Sequence, residues 1–271
     1  MSDARFGDLG TRLASAVVMI VLGAGALWAG GLVLAVLATL LAGLMGWELY
    51  RMLQPDAPPG RAEAHGVVAA VLVAVFTFTW GGAVSLAGLL LGAVLVAWRM
   101  PRDRALFAAY LALIVVAAHG LVVLHGSFGP VWVLWLVLIV IGSDVAGYFA
   151  GRLIGGPKFW PRISPKKTWS GTVAGWVVAA GIGAGFAQAM GAGAGAGLAG
   201  LVALSVLLAL AGQLGDIAES AIKRRMGVKD SSALIPGHGG VLDRFDALIA
   251  VLALAYLAAL AGVLGMLVGA A

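Results

Sequence analysis

The sequence contains no cysteine, which excludes a disulfide framework and any zinc site built on thiolates. Charge is scarce as well: Asp, Glu, Lys and Arg make up 11% of the residues against 62% hydrophobic, and the mean hydropathy is +1.05. These values lie outside the range of soluble domains and describe a chain that crosses a membrane repeatedly. A soluble basic domain with interleaved aromatics is missing too, so the net charge of +5 does not argue for a nucleic-acid partner. There is no long repeat of fixed period. The opening MSDARFGDLGTR carries acids and lacks a small-residue cleavage site after a short apolar core. It reads as a tail before the first membrane helix, not as a removed signal.

The few charges divide the chain. Uncharged runs cover 13–47, 66–98, 105–143, 168–215 and 247–271, which are 35, 33, 39, 48 and 25 residues long. A helix needs about 20 residues to cross the hydrocarbon, so the first four runs admit two crossings each and the last admits one. Gly30–Gly31, Gly81–Gly82 after Trp80, Gly126–Pro130 and Gly191–Gly197 supply the turn between each pair. The expectation is an all-α integral membrane protein, a polytopic bundle of about nine transmembrane helices. They fall near 13–29, 31–50, 66–80, 83–98, 105–124, 131–150, 171–190, 197–215 and 247–269. All 17 Lys and Arg sit in the N-terminal tail or in the loops after helices 2, 4, 6 and 8. The positive-inside rule then places the N-terminus and those loops in the cytoplasm and the C-terminus on the opposite side. The spacings Gly171/Gly175 and Gly181/Gly185 read as close helix packing.

Most polar residues of the first two-thirds read as solvated surface: Glu48, Asp56, Glu63 and Asp103 lie at helix ends or in loops. His65, His119 and His125 receive no role. Asp144 differs, because it stands eight residues inside Arg152, about 12 Å at helical rise. Gly147, Tyr148 and Gly151 share its face. A buried intramembrane acid either bonds a neighbouring helix or serves function, and its burial cost favours function. In Gly155–Gly171, the prolines Pro157, Pro161 and Pro165 keep the chain non-helical until a helix starts near Thr168. Lys166, Lys167 and the Thr168 hydroxyl therefore stand at a helix N-terminus, which suits anions; taken alone, the lysines read as headgroup anchors.

Gly215–Asp246, GDIAESAIKRRMGVKDSSALIPGHGGVLDRFD, holds most of the remaining charge. Asp216, Glu219, Ser220 and Lys223 form one helical stripe. Asp243 and Asp246 open the last helix with Arg244 between them. Carboxylates on two adjacent helix ends can share a hard divalent cation, and magnesium favours a few carboxylates plus phosphate oxygens and water. Gly237, Gly239 and Gly240 around His238 permit left-handed backbone or close approach to a ligand. Asp243 alone could be a helix N-cap, but that does not account for the remaining acids and interleaved cations.

These residues resemble the phosphatidate cytidylyltransferases, also called CDP-diacylglycerol synthases. The likeness is carried by Ser220-Ala-Ile-Lys-Arg, Lys229-Asp230 and Pro236-Gly-His-Gly-Gly-Val-Leu-Asp-Arg-Phe-Asp246. Further likeness lies in Ser143-Asp144 with Tyr148 and Gly151-Arg152, in Ile163-Ser-Pro-Lys-Lys-Thr-Trp169, and in Gly215-Asp216 with Glu219-Ser220. It covers roughly residues 140–250 by motif. Where the family usually has Glu-Gly after Lys-Thr-Trp, this chain has Ser170-Gly171. The resemblance implies that CTP and phosphatidate give CDP-diacylglycerol and pyrophosphate with magnesium, and that a second, monovalent cation takes part. It also implies a helical bundle, a homodimer, and a polar cavity open to the cytoplasm at a bacterial inner membrane.

On that footing residues 1–130 are N-terminal transmembrane helices and 131–271 the catalytic transmembrane region. Asp216, Asp243, Asp246, Lys223 and Arg244 are the expected catalytic set, with Asp216 and Asp243 as primary metal carboxylates and Asp246 and Asp144 as further ligands. Expected substrate contacts are Asp144, Ser164, Lys166, Lys167, Thr168, Glu219, Ser220, Arg224, Lys229, Asp230, His238, Gly239 and Gly240. A cation-coupled secondary transporter, with Asp144 and Asp216 as coupling acids, would instead put its acids near the midplane in broken helices. Another lipid-phosphate transferase is a second competing function. A non-catalytic membrane scaffold is a third, though it would have no reason to keep this charge pattern.

Overall fold

A computed structural model of the chain describes residues 3–79, 81–191 and 196–269; Trp80 and the middle of the Gly191–Gly197 turn lie outside them. The described elements are α1 (Asp3–Ala29), α2 (Gly31–Leu53), α3 (Arg61–Thr79), α4 (Gly82–Trp98), α5 (Arg104–Phe128) and α6 (Pro130–Leu153). A hairpin of β1 (Lys158–Trp160) and β2 (Ser164–Thr168) follows, then α7 (Trp169–Ala189), α8 (Ala196–Arg225), α9 (Leu242–Leu260) and α10 (Val263–Gly269). Seven of these helices are long and apolar enough to cross a membrane, and α4 is a shorter apolar helix.

The turn signals work through backbone conformation. Gly30 and Gly31 have φ of 60° and 47°, a region open to glycine and costly for other residues. The His125 ring, whose Nε2 lies 2.8 Å from Leu27 O, fills the space a Gly30 side chain would need. Gly129 (φ 87°) ends α5, and Pro130 opens α6 at the first helical position, where its missing N–H costs nothing.

Several boundaries differ from expectation, beginning with α1, which starts at Asp3 and not near 13. Helix α8 runs past 215 to Arg225, because the loss of hydrophobicity marks the edge of the apolar layer and not the end of hydrogen-bonded helix. Helix α9 starts at Leu242, not 247, and stops at Leu260; Gly262 (φ 78°) separates it from α10. The proline-punctuated 157–165 stretch forms an antiparallel hairpin, pairing Lys158 with Thr168 and Trp160 with Ser164.

The chain forms two compact units. The first comprises Met1–Pro130 with Arg225–Phe245. Its α2, α3 and α5 pack together, and a Cβ on Gly66 would meet Gly43 O at 2.7 Å, so glycine lets two backbones approach. The rings of Tyr50, His65 and Phe107 cluster there, with Tyr50 and His65 stacked at 4.0 Å. The second unit comprises Val131–Arg224 with Asp246–Ala271. In it, Gly171 lies against Gly147 O, Gly175 against Ser143 and Gln213, Gly183 against Ser205, and Gly215 against Asp246 O and Ala250. Gly181 and Gly185 face open space instead, so only half of the small-residue pattern expected to pack does so.

Candidate active site

The second unit encloses a cavity of about 460 Å³. Helix α6 supplies Ser143, Asp144, Gly147, Tyr148, Gly151 and Arg152; the hairpin supplies Lys158, Lys166, Lys167 and Thr168. Gly171 and Thr172 of α7 and Gln213 and Asp216 of α8 complete the lining. Residues 143–172 and the distant pair Gln213 and Asp216 thus converge on one arrangement of four cations and two carboxylates.

Its centre is an ion pair: Lys167 Nζ lies 2.5 Å from Asp216 Oδ2, with the two side chains 25% and 31% exposed. Lys167 Nζ also donates to Gln213 O at 3.4 Å. Ser220, one turn along α8, donates to Asp216 Oδ1 at 3.2 Å. Arg152 donates to the Tyr148 hydroxyl at 2.9 Å, which holds its guanidinium at the rim. Thr168 caps α7, its Oγ1 accepting from Gly171 N at 3.2 Å, so its hydroxyl is a structural acceptor as well as a lining atom. Ser170, where a carboxylate is usual in the resembling family, donates to Gly155 O and ties the loop before the hairpin to α7.

Further along α8, Lys223 Nζ donates to Glu219 Oε2 at 2.6 Å, and Glu219 is fully buried. Asp246 on α9 lies beside Glu219, within the fields of Asp216 and Lys223. The stripe expected at Asp216, Glu219, Ser220 and Lys223 is therefore one helix face, internally paired. Arg224 is exposed and Ser164 half-buried in β2; neither lines the cavity.

The other expected residues belong to the first unit. Lys229, Asp230 and Arg244 are exposed. Asp243 is 8% exposed, and its Oδ2 accepts from Ser231 N at 2.8 Å, Ser231 Oγ at 2.9 Å and Gly240 N at 2.8 Å. Gly239 (φ 82°) is crowded, since a Cβ would meet Asp243 Oδ2 at 2.9 Å. His238 is half-buried; its N–H donates to Ile235 O at 2.9 Å, and its Nδ1 has no hydrogen-bond partner among the described residues. Two backbone donors of the glycine-rich turn, His238 N and Gly240 N, are thus taken by the protein's own acceptors.

Three residues escaped sequence reasoning. Glu48, expected to be solvated surface, is 0% exposed and accepts from Val241 N, Leu242 N, Ser231 Oγ and Ser232 Oγ. Asp103, also expected at the surface, is 18% exposed and pairs with Arg225. Gln213 was hidden inside an uncharged run; its Oε1 accepts from Trp176 Nε1 at 3.0 Å and its Nε2 donates to Thr172 O at 3.2 Å. An amide in an otherwise apolar run was the available signal.

Among the described residues, no group of three or more His, Cys, Asp or Glu is placed to hold a metal ion unaided. The cavity instead offers Asp144 and Asp216. That donor set fits magnesium, which binds through one or two carboxylates and completes its octahedron with substrate phosphate and water.

Over residues 10–261 the sequence matches the cytidylyltransferase family, and the chain belongs to that family. A relative from Brucella suis biovar 1 (strain 1330), named phosphatidate cytidylyltransferase, is 35% identical over 253 residues, 92% of each chain. Relatives of the same name from Staphylococcus saprophyticus and Staphylococcus epidermidis are 31% and 32% identical over 252 residues, 90% of this chain and 96% of theirs.

Proposed function

We propose that this protein transfers the cytidylyl group of CTP to phosphatidate, giving CDP-diacylglycerol and pyrophosphate in phospholipid synthesis. The observation that carries the reading is the cavity in which Asp144 and Asp216 stand among Arg152, Lys158, Lys166 and Lys167. Family membership and the relatives' shared name support it. A phosphate oxygen of phosphatidate attacks the α-phosphorus of CTP, and the bond from that phosphorus to the bridging oxygen of the leaving pyrophosphate breaks. The attacking group is already an oxyanion, so no strong general base is required. Catalysis consists of overcoming repulsion between two anions and stabilising the leaving group.

Lys166, Lys167, Lys158 and Arg152 supply the positive charge that draws both phosphates into the cavity. Within the cavity Lys167 is paired with Asp216. Magnesium, held by Asp216 with Asp144 and Asp246, would offset charge on the departing pyrophosphate. With Asp216 engaged by such a cation, the Lys167 ammonium would be free to face substrate phosphate. Asp243, with Oδ2 committed to three donors, is assigned to shaping its loop. His238 Nδ1 is the group of that loop we assign to a phosphate hydrogen bond, and Lys229 and Arg244 remain its candidate phosphate cations.

The proposal includes nine crossings of a bacterial inner membrane, adding α4 and α9 to the other seven spans, and a dimeric assembly. It places the N-terminus and all the basic loops in the cytoplasm, a side supported by the distribution of the 17 Lys and Arg under the positive-inside rule. The test uses purified protein in detergent with labelled CTP, phosphatidate and magnesium. Pyrophosphate release that depends on the lipid is expected; solute uptake by proteoliposomes without CTP turnover overturns the reading.

A further inference from the structure

We infer that Glu48 is a positioning residue for this reaction: from α2 it caps the amino end of α9 and fixes the loop that carries His238, Asp243 and Arg244. The inference rests on the function proposed above. Glu48 is 0% exposed, and a carboxylate is withdrawn from water at such cost that it persists only with strong partners. It has four. Oε1 accepts from Ser232 Oγ at 2.6 Å and Val241 N at 2.9 Å; Oε2 accepts from Leu242 N at 2.7 Å and Ser231 Oγ at 3.3 Å. Leu242 opens α9 and Val241 directly precedes it, so the carboxylate satisfies N–H groups that the helix leaves orphaned and meets the positive end of the helix dipole.

The position has two consequences for chemistry. First, a helix N-terminus beside a glycine-rich turn is a ready anion site, but here the protein's own carboxylate fills it. Substrate phosphates are thereby left to side-chain cations. Second, the loop is locked by two acids acting together, since Ser231 Oγ lies between Glu48 and Asp243. Gly240 belongs to the same lock: a Cβ there would collide with Ser231 Oγ and with the Glu48 carboxylate. Its smallness makes room for Ser231 and the Glu48 carboxylate.

The experiment compares wild type, Glu48→Gln, Glu48→Ala and the double variant Ser231→Ala/Ser232→Ala as full-length chains in detergent. Glu48→Gln keeps the volume in α2 but turns one oxygen into a donor facing donors. It should lower kcat by about tenfold or more, with KM for CTP and phosphatidate within about twofold and a fall in unfolding temperature smaller than that of Glu48→Ala. Formate, a small carboxylate, should restore part of the kcat lost in Glu48→Ala. The serine pair should fall by less than Glu48→Gln. Tryptic cleavage at Lys229 should be slow in wild type and fast in Glu48→Ala. Wild-type kcat in Glu48→Gln, or no response of Glu48→Ala to formate, overturns the inference. If Glu48→Ala fails to fold, Glu48→Gln and the serine pair decide it alone. Should wild type release no pyrophosphate, the functional reading falls instead, and the tryptic protection of Lys229 still decides whether Glu48 positions the loop.

Discussion

The two units hold their carboxylates in opposite ways. In the first, Glu48 and Asp243 are 0% and 8% exposed, and their oxygens accept from backbone N–H groups and serine hydroxyls. In the second, Asp216 lines a cavity with its side chain 31% exposed, and its nearest partner is a lysine ammonium. A backbone donor cannot leave, whereas an ammonium on a flexible stem can be exchanged for another cation. The difference separates acids that define the shape of the protein from acids that remain available to a ligand. Sequence spacing alone makes Asp216 and Asp243 look equivalent, because both stand beside basic residues at helix ends.

Variants can break or sharpen that contrast. The largest effect on turnover is expected from Asp216→Asn, a loss of about 10²–10³-fold in kcat with unchanged thermal unfolding, read by lipid-dependent pyrophosphate release. Lys167→Met should cost less, about 10²-fold, and its apo form should bind manganese more tightly by titration because no ammonium competes for Asp216. On the other side of the contrast, Glu48→Ala leaves Ser232 Oγ, Val241 N and Leu242 N without this acceptor, while Ser231 Oγ keeps Asp243. It should destabilise the protein by about 3 kcal/mol, measured by denaturant unfolding. Gly240→Ala should cost about 1–3 kcal/mol through collision with Ser231 and Glu48 in the same assay. Arg225→Ala is expected to cost under about 1 kcal/mol, since that side chain is 60% exposed in its pair with Asp103. If Asp216→Asn unfolded the protein and Glu48→Ala did not, the distinction between the two kinds of acid would be reversed.

Much of the helical architecture was legible because hydrophobic run length and glycine turns are local signals. The ends of α8 and α9 were not, since Asp216–Arg225 is helical yet polar and the apolar pattern cannot report where hydrogen bonding stops. The prolines of 157–165 exclude a helix, but only the pairing of Lys158 with Thr168 makes the stretch a hairpin. At the cavity, Asp144, Lys166, Lys167, Thr168 and Asp216 were legible as unusual charge or polarity in an apolar context. Glu48 was not: an acid three residues before Arg51 at a helix end reads as surface, and its partners lie 183–194 positions away. The acceptor beside the glycine turn was hidden for the same reason, since Glu48 lies 193 and 194 positions before Val241 and Leu242.

That remoteness has a consequence for synthesis. The acceptor on α2 leaves the ribosome long before the donors at Val241 and Leu242, which are 193 and 194 residues downstream. A nascent chain therefore carries a carboxylate without its donors through the making of six further helices, and the contact forms only when the last long segment emerges. Assembly of this motif is a late event, and a fragment starting at α6 would carry the whole signature while lacking the group that holds it in shape.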